Sequence, residues 1–166
     1  MSIRGIDVSK HQGKINWPKV AASGVRFAIL RAGFGRTAAQ VDPTFAANYT
    51  GATAAGLKVG AYWYSYASGP DDAASEAAAC LQVLAGRGLD LPLFFDQEYE
   101  PAILAQTTAG RTACVQRFCA AVQAAGYLVS PAAEFSARVQ HRVYDLERGL
   151  ARLLLNVHGD AAAVIG

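Results

Sequence analysis

The sequence predicts an α/β fold with a parallel sheet. Short apolar runs recur along the 166 residues, and a helical pattern follows each one. The starts of these runs lie roughly 25–35 residues apart, the length of one strand–helix unit. About half the residues are apolar and 17% are charged, enough apolar side chain for a single buried core and too little charge for disorder. Strand, helix, strand in repetition implies right-handed crossovers, and an open doubly wound sheet and a barrel both satisfy that pattern.

The five apolar runs span residues 3–8, 27–32 (FAILRA), 59–64 (VGAYWY), 91–98 (LPLFFDQE) and, more weakly, 127–129. A short helix is expected over 17–22, where Pro18 suits the first turn. The segment 43–55 carries Phe45, Tyr49 and Ala52 at helical spacing and stops at Gly56. Residues 71–84 open with two acids, which favour a helix N-terminus. Residues 107–124 place Val115, Phe118 and Val122 on one stripe before Gly126. Beyond it, Val139, Val143, Leu146, Leu150 and Leu153 predict one long amphipathic helix over 135–155, and 156–166 has no clear period.

Several function classes drop out. The net charge is +2 and the basic residues are scattered, so no nucleic-acid partner is expected. Residues 1–5 run straight into a strand pattern without the features of a signal peptide. No segment reaches the ~18 apolar residues of a membrane span. Cys80, Cys114 and Cys119 suggest buried thiols on helices, neither a disulfide framework nor a zinc site. His11, His141 and His158 are too dispersed for a metal, and the glycines around Phe34 lack a phosphate-loop pattern. No cofactor is expected.

Active sites of parallel β/α folds lie at the C-terminal ends of the strands. The first run ends in Asp7, the second contains Arg31, the third ends in Tyr62, Trp63 and Tyr64, and the fourth ends in Asp96 and Glu98. On a strand, Asp96 and Glu98 point one way, ~6–7 Å apart at the backbone, with Phe94 one step deeper. Two carboxylates beside apolar surface do not both ionise easily, so one stays protonated. Glycoside hydrolysis uses such an acid to protonate the leaving oxygen, and aromatic rings suit the apolar faces of sugars. The plainer readings are a solvated pair of acids, an ion-paired Arg31 and packing roles for Tyr62 and Tyr64.

The ordered segments GIDVSKHQGKINWPKV, GVRFAILRAGFG, Asp42-Pro43-Thr44-Phe45 with Asn48, AGLKVGAYWYSYA and LPLFFDQEYE resemble glycoside hydrolase family 25 over residues 3–127. These are the Chalaropsis-type lysozymes of bacteriophage endolysins and bacterial autolysins. The resemblance implies a modified TIM-like β/α barrel, with five βα units and an atypical C-terminal part over 128–166, forming one catalytic domain across 1–166. It implies a bacteriolytic N-acetylmuramidase acting on the cell wall, whose partner is peptidoglycan polysaccharide and whose chain is a monomer. Glu98 matches the general acid, Asp96 its partner acid, Asp7 the first-strand aspartate and Tyr62 a substrate-site tyrosine. Tyr64, Trp63 and Arg31 complete the expected substrate contacts. Retention through the substrate's acetamido group and through a covalent enzyme intermediate both stay open.

The departure lies after Tyr127, where the family's tryptophan-containing segment and final aspartate motif have no counterpart; Trp17 and Trp63 are the two tryptophans. A non-catalytic or remnant sugar-binding barrel is therefore the alternative. An unclosed barrel would leave strand edges exposed, with weak lysis and association expected. A chitinase-like barrel also uses a D-x-E strand, but Leu93, Phe94 and Phe95 stand where further acids belong.

Overall fold

A computed structural model describes residues 3–98, 100–132, 142–144 and 153–155, with side-chain environments up to residue 130. Five strands, β1 (Gly5–Val8), β2 (Phe27–Phe34), β3 (Lys58–Tyr64), β4 (Leu93–Asp96) and β5 (Val129–Ala132), form one sheet in the order β1-β2-β3-β4-β5. Every neighbouring pair is parallel. The crossovers carry α1 (Trp17–Ala22), α2 (Phe45–Ala54), α3 (Pro70–Leu84), α4 (Pro101–Leu104) and α5 (Thr108–Ala124). The expected strand–helix rhythm is thus observed through residue 132. No described strand bonds to the outer side of β1 or β5, so the described residues form an open sheet.

Local chemistry sets the helix ends. Asn16 caps α1 by accepting the Lys19 N–H, and Pro18 lies in its first turn. Pro70 opens α3, and Asp71 and Asp72 sit where the helix dipole favours negative charge. Thr107 caps α5 through the Gly110 N–H, and the chain leaves that helix through Gly126 at φ 87°.

The sheet separates two packing environments. Val8, Leu30, Ala61, Trp63, Leu93 and Phe95 face the helices, meeting Val20, Phe45, Ala77, Leu84, Phe118 and Val122. The rings of Phe95 and Phe118 stack at 4.2 Å. On the opposite face, Phe27, Ile29 and Phe94 form a smaller cluster bordered by Ile3, Tyr62 and Leu91. Ile6 belongs to the helix-facing core.

The expected helix over 135–155 is overturned where the chain is described. Residues Arg142–Tyr144 (β6) and Leu153–Leu155 (β7) are strands of an antiparallel pair with Val143 opposite Leu154. A short run of β-branched, aromatic and leucine side chains satisfies either period, and a pairing partner decides between them. The remainder of 133–166, including His141 and His158, lies outside the described residues.

A bulge in β2 resets which side chains reach each face of the sheet. Arg31 pairs with Tyr62, but Gly33 pairs with the next residue, Trp63, leaving Ala32 extra. A Cβ on Gly33 would come within 2.7 Å of both the Gln40 carbonyl oxygen and the Trp63 ring. Gly33→Ala should therefore cost about 1–3 kcal/mol by overpacking. Thermal denaturation checks it; an unchanged Tm would mean that the backbone at Gln40 yields freely.

Candidate functional site

Strand alternation and register assemble one polar surface on the face away from the helices. Arg31 follows Phe27 and Ile29 at every second position, and Asp7 pairs with Ile29. Tyr62 pairs with both Arg31 and Phe94, and Tyr64 pairs with Asp96. Asp7, Arg31, Tyr62, Tyr64 and Asp96 thus share a face at the C-terminal ends of four adjacent strands. Asp96 is buried, and the other four are half-buried.

Glu98 arrives there differently from the expectation. Strand β4 ends at Asp96, so strand alternation does not aim Glu98; it lies in the segment just past the strand. Its charge nevertheless acts on Tyr64. Burial, the bond from the Tyr64 hydroxyl to Glu100 Oε1 at 2.7 Å, and the charges of Glu98 and Glu100 hold that phenol far above its ordinary pKa. Tyr64 is therefore a neutral donor at the edge of a carboxylate cluster.

Arg31 is fixed by Asp42, which reaches it from the loop before α2. The Arg31 Nε lies 2.7 Å from Asp42 Oδ2, and the Asp42 side chain is wholly buried. The same oxygen accepts the Lys10 N–H at 3.0 Å, while Oδ1 accepts the Thr44 N–H at 2.9 Å and hydroxyl at 2.6 Å. Burial opposes ionisation of Asp42, but bonds from Thr44, Lys10 and Arg31 outweigh it, and its carboxyl sits below the usual range. The structural ion-pair reading of Arg31 is correct, and the guanidinium keeps Nη2 buried without a partner. That leaves an N–H donor facing the same surface as Asp7.

Aromatic rings continue the surface outward. The β2 bulge turns Phe34 onto this face, opposite Tyr64. Phe34 meets Tyr66 edge-on at 6.1 Å, Tyr66 meets Tyr64 at 5.2 Å, and the Arg31 guanidinium lies 5.9 Å from the Phe34 ring. Tyr66 is 42% exposed, a large apolar ring presented to solvent.

Trp63 is a correction. It was expected among the substrate-facing rings, but it is fully buried in the helix-facing core and donates its indole N–H to the Gly35 carbonyl at 3.0 Å. Consecutive residues on a strand face opposite ways, so Trp63 cannot share the surface of Tyr62 and Tyr64. Sequence reasoning also passed over Phe34, Asp42, Tyr66 and Glu100. Extending the alternation Tyr62, Tyr64 by one step would have found Tyr66; nothing short of the bulge reveals Phe34. His11 is exposed, Cys80 and Cys114 are buried free thiols, and Cys119 is a half-buried one.

Residues 6–133 match Glycosyl hydrolases family 25, and the chain belongs to that family. Lysozyme M1 of Streptomyces globisporus is 44% identical over 63 residues, covering 38% of this chain and 21% of its own length. The autolytic lysozyme of Clostridium acetobutylicum is 35% identical over 96 residues, covering 58% of this chain and 28% of its own. The chain therefore matches under a third of each of these curated relatives. The modular autolysin LytC of Streptococcus pneumoniae, solved with a synthetic peptidoglycan ligand, superposes with a TM-score of 0.69 at 26% identity. That match covers 78% of this chain and 32% of LytC.

The Arg31–Asp42 pair yields a stability prediction. Asp42→Ala strands a largely buried guanidinium and should cost about 3–5 kcal/mol. A carboxyl lowered from its usual 3.8 stabilises the fold above that value and loses its contribution as pH falls. The Tm gap between wild type and Asp42→Ala should thus be steady from about pH 5 to 7 and narrow below about pH 4. A gap independent of pH would contradict it.

Proposed function

We propose that this chain is a lysozyme-type N-acetylmuramidase that hydrolyses the β-1,4 bond between N-acetylmuramic acid and N-acetylglucosamine in bacterial peptidoglycan. The observation that carries the reading is the shared face of Asp7, Asp96, Tyr62 and Tyr64, with Glu98 at its edge, in a family 25 chain. A glycan lying across the strand ends would meet aromatic faces on Tyr62, Tyr64 and Tyr66 and a guanidinium donor on Arg31. Glu98 is the general acid that protonates the leaving oxygen, Asp96 assists at the anomeric centre, and Asp7 completes the acidic group. The protonated Tyr64 hydroxyl, bonded to Glu100, keeps a neutral donor beside these acids.

A modified β/α barrel is the fold that serves this chemistry. In a flat sheet β1 and β4 lie ~14 Å apart, three strand spacings. Curvature toward a barrel carries Asp7 toward Asp96 and Glu98, and strands beyond β5 would complete the wall. The action on the wall, as a monomer on peptidoglycan polysaccharide, follows from the same reading and is supported by the lysozyme and autolysin names of the relatives.

Glu98→Gln should lower turnover on purified peptidoglycan by roughly 10²–10⁴, the loss typical when acid–base catalysis is removed, with little change in Tm. Wild-type activity in this variant would remove Glu98 from its role. Digests by the wild type should carry N-acetylmuramic acid at the new reducing ends. N-acetylglucosamine there would make the activity a glucosaminidase, and a folded chain that binds glycan without cleaving it would be the sugar-binding alternative.

A further inference from the structure

Behind the aromatic rim lies a carboxylate that the proposed chemistry does not use. Glu76 sits on α3 among Ala73, Ala77 and Cys80, and it is 0% exposed. A carboxylate on the alanine-rich core face of a helix is costly to bury unless its bonds do something specific. Its Oε1 accepts the backbone N–H of Tyr66 at 2.8 Å.

That bond belongs to a small harness around the turn that leaves β3. The Ser65 N–H donates to the Asp96 carbonyl at 2.8 Å, and the Ala67 N–H donates to Ser65 Oγ at 3.1 Å. The Ala67 carbonyl accepts from Gln106 Nε2 at 2.6 Å, and Gln106 Oε1 in turn accepts from the Cys114 thiol at 3.3 Å. Ser65 and Ala67 are fully buried while Tyr66, between them, projects into solvent against Tyr64 and Phe34. Of these bonds, the one that Glu76 accepts comes from the residue whose ring forms the rim.

We infer that Glu76 is a positioning residue for glycan binding: from behind the sheet, its carboxylate fixes the Ser65–Ala67 turn so that Tyr66 and Tyr64 present their rings to the substrate. This rests on the muramidase reading. The ionisable and charged groups facing Glu76 are Asp72 and Cys80 on its own helix, Cys114 on α5 and Arg36 from the loop after β2. Burial pushes its carboxyl up to about 7; the Tyr66 N–H and the Ser65 hydroxyl oppose that, the Asp72 charge adds to it and Arg36 reduces it. Glu76 therefore gains its charge between about pH 6 and 8, and the charged form holds the Tyr66 N–H more strongly.

The test compares wild type, Glu76→Ala and Glu76→Gln on soluble glycan strands from peptidoglycan between pH 5 and 8, with amide hydrogen exchange at Tyr66. Losing one such hydrogen bond should raise KM for Glu76→Ala about three- to tenfold, leave kcat within about twofold and speed Tyr66 exchange. Glutamine keeps an acceptor, so Glu76→Gln should match wild type near pH 5.5. Its KM relative to wild type should then climb about two- to threefold by pH 8, as the wild-type carboxylate ionises. A folded Glu76→Ala with wild-type KM and exchange, or a Glu76→Gln ratio flat across pH, overturns the inference. If Glu76→Ala does not fold, the Glu76→Gln ratio decides. If wild type fails to cleave the strands, the muramidase reading falls, and exchange at Tyr66 still decides the role of Glu76.

Discussion

The parallel register of β1 to β4 is the constraint on which the candidate site depends. It sorts consecutive residues onto opposite faces, so each strand supplies the helix-packed core and the polar surface at once. The helix side is dry and closely packed, with Val8, Leu30, Trp63 and Phe95 among its members. The other side moves from apolar Phe27, Ile29 and Phe94 to polar Arg31, Tyr64 and Asp96 as the strands approach their C-terminal ends. Apolar residues anchor the lower part of that face, and the tolerance for charge grows toward the opening.

Charge at the opening is managed by fixed partners. Asp42 joins the turn after β1, the middle of β2 and the start of α2 through four bonds to one carboxylate. A single buried anion thereby holds three chain segments, and the cation it pairs with stays available to the surface through Nη2. Tyr64 and Glu100 form a second fixed contact on the far side. Asp7 and Asp96 share the face that these contacts frame, and Glu98 follows at the end of β4. Such preorganisation is what makes a polar site useful for chemistry, since little reorganisation remains for the reacting state.

Most of the frame was legible in the sequence because it follows from local periodicity. The five strands, the four longer helices and the placement of Asp7, Asp96, Tyr62 and Tyr64 at strand ends needed only alternation and helix-stop residues. Trp63 departs from its sequence expectation because neighbours on a strand face apart, so its adjacency to Tyr62 and Tyr64 in sequence is not adjacency in space. Asp42 carried no periodic signal; its partner lies 11 residues away and is brought near only by the turn between them. Glu76 stood in view as a lone acid on an apolar stripe, yet what it holds, a backbone N–H, has no sequence signature. The strands at Arg142–Tyr144 and Leu153–Leu155 were missed since their pairing is non-local.

The extra residue in β2 makes the segment LRAGF behave like text with a shifted reading frame. Were Ala32 paired in the ordinary way opposite Trp63, Gly33 would fall on the outer surface and Phe34 would turn toward the helices. Deleting Ala32 would remove the bulge and keep that frame, but an inserted residue drawn into regular pairing would break it. Such an insertion would exchange inside for outside for every residue up to the turn, carrying Arg36, the partner of Asp72, along with it. Point substitutions along this strand leave that frame intact, whereas an insertion drawn into the ladder does not. Which side chains of this segment reach each face thus depends on how its residues are counted into the ladder, and every one of them is buried or half-buried.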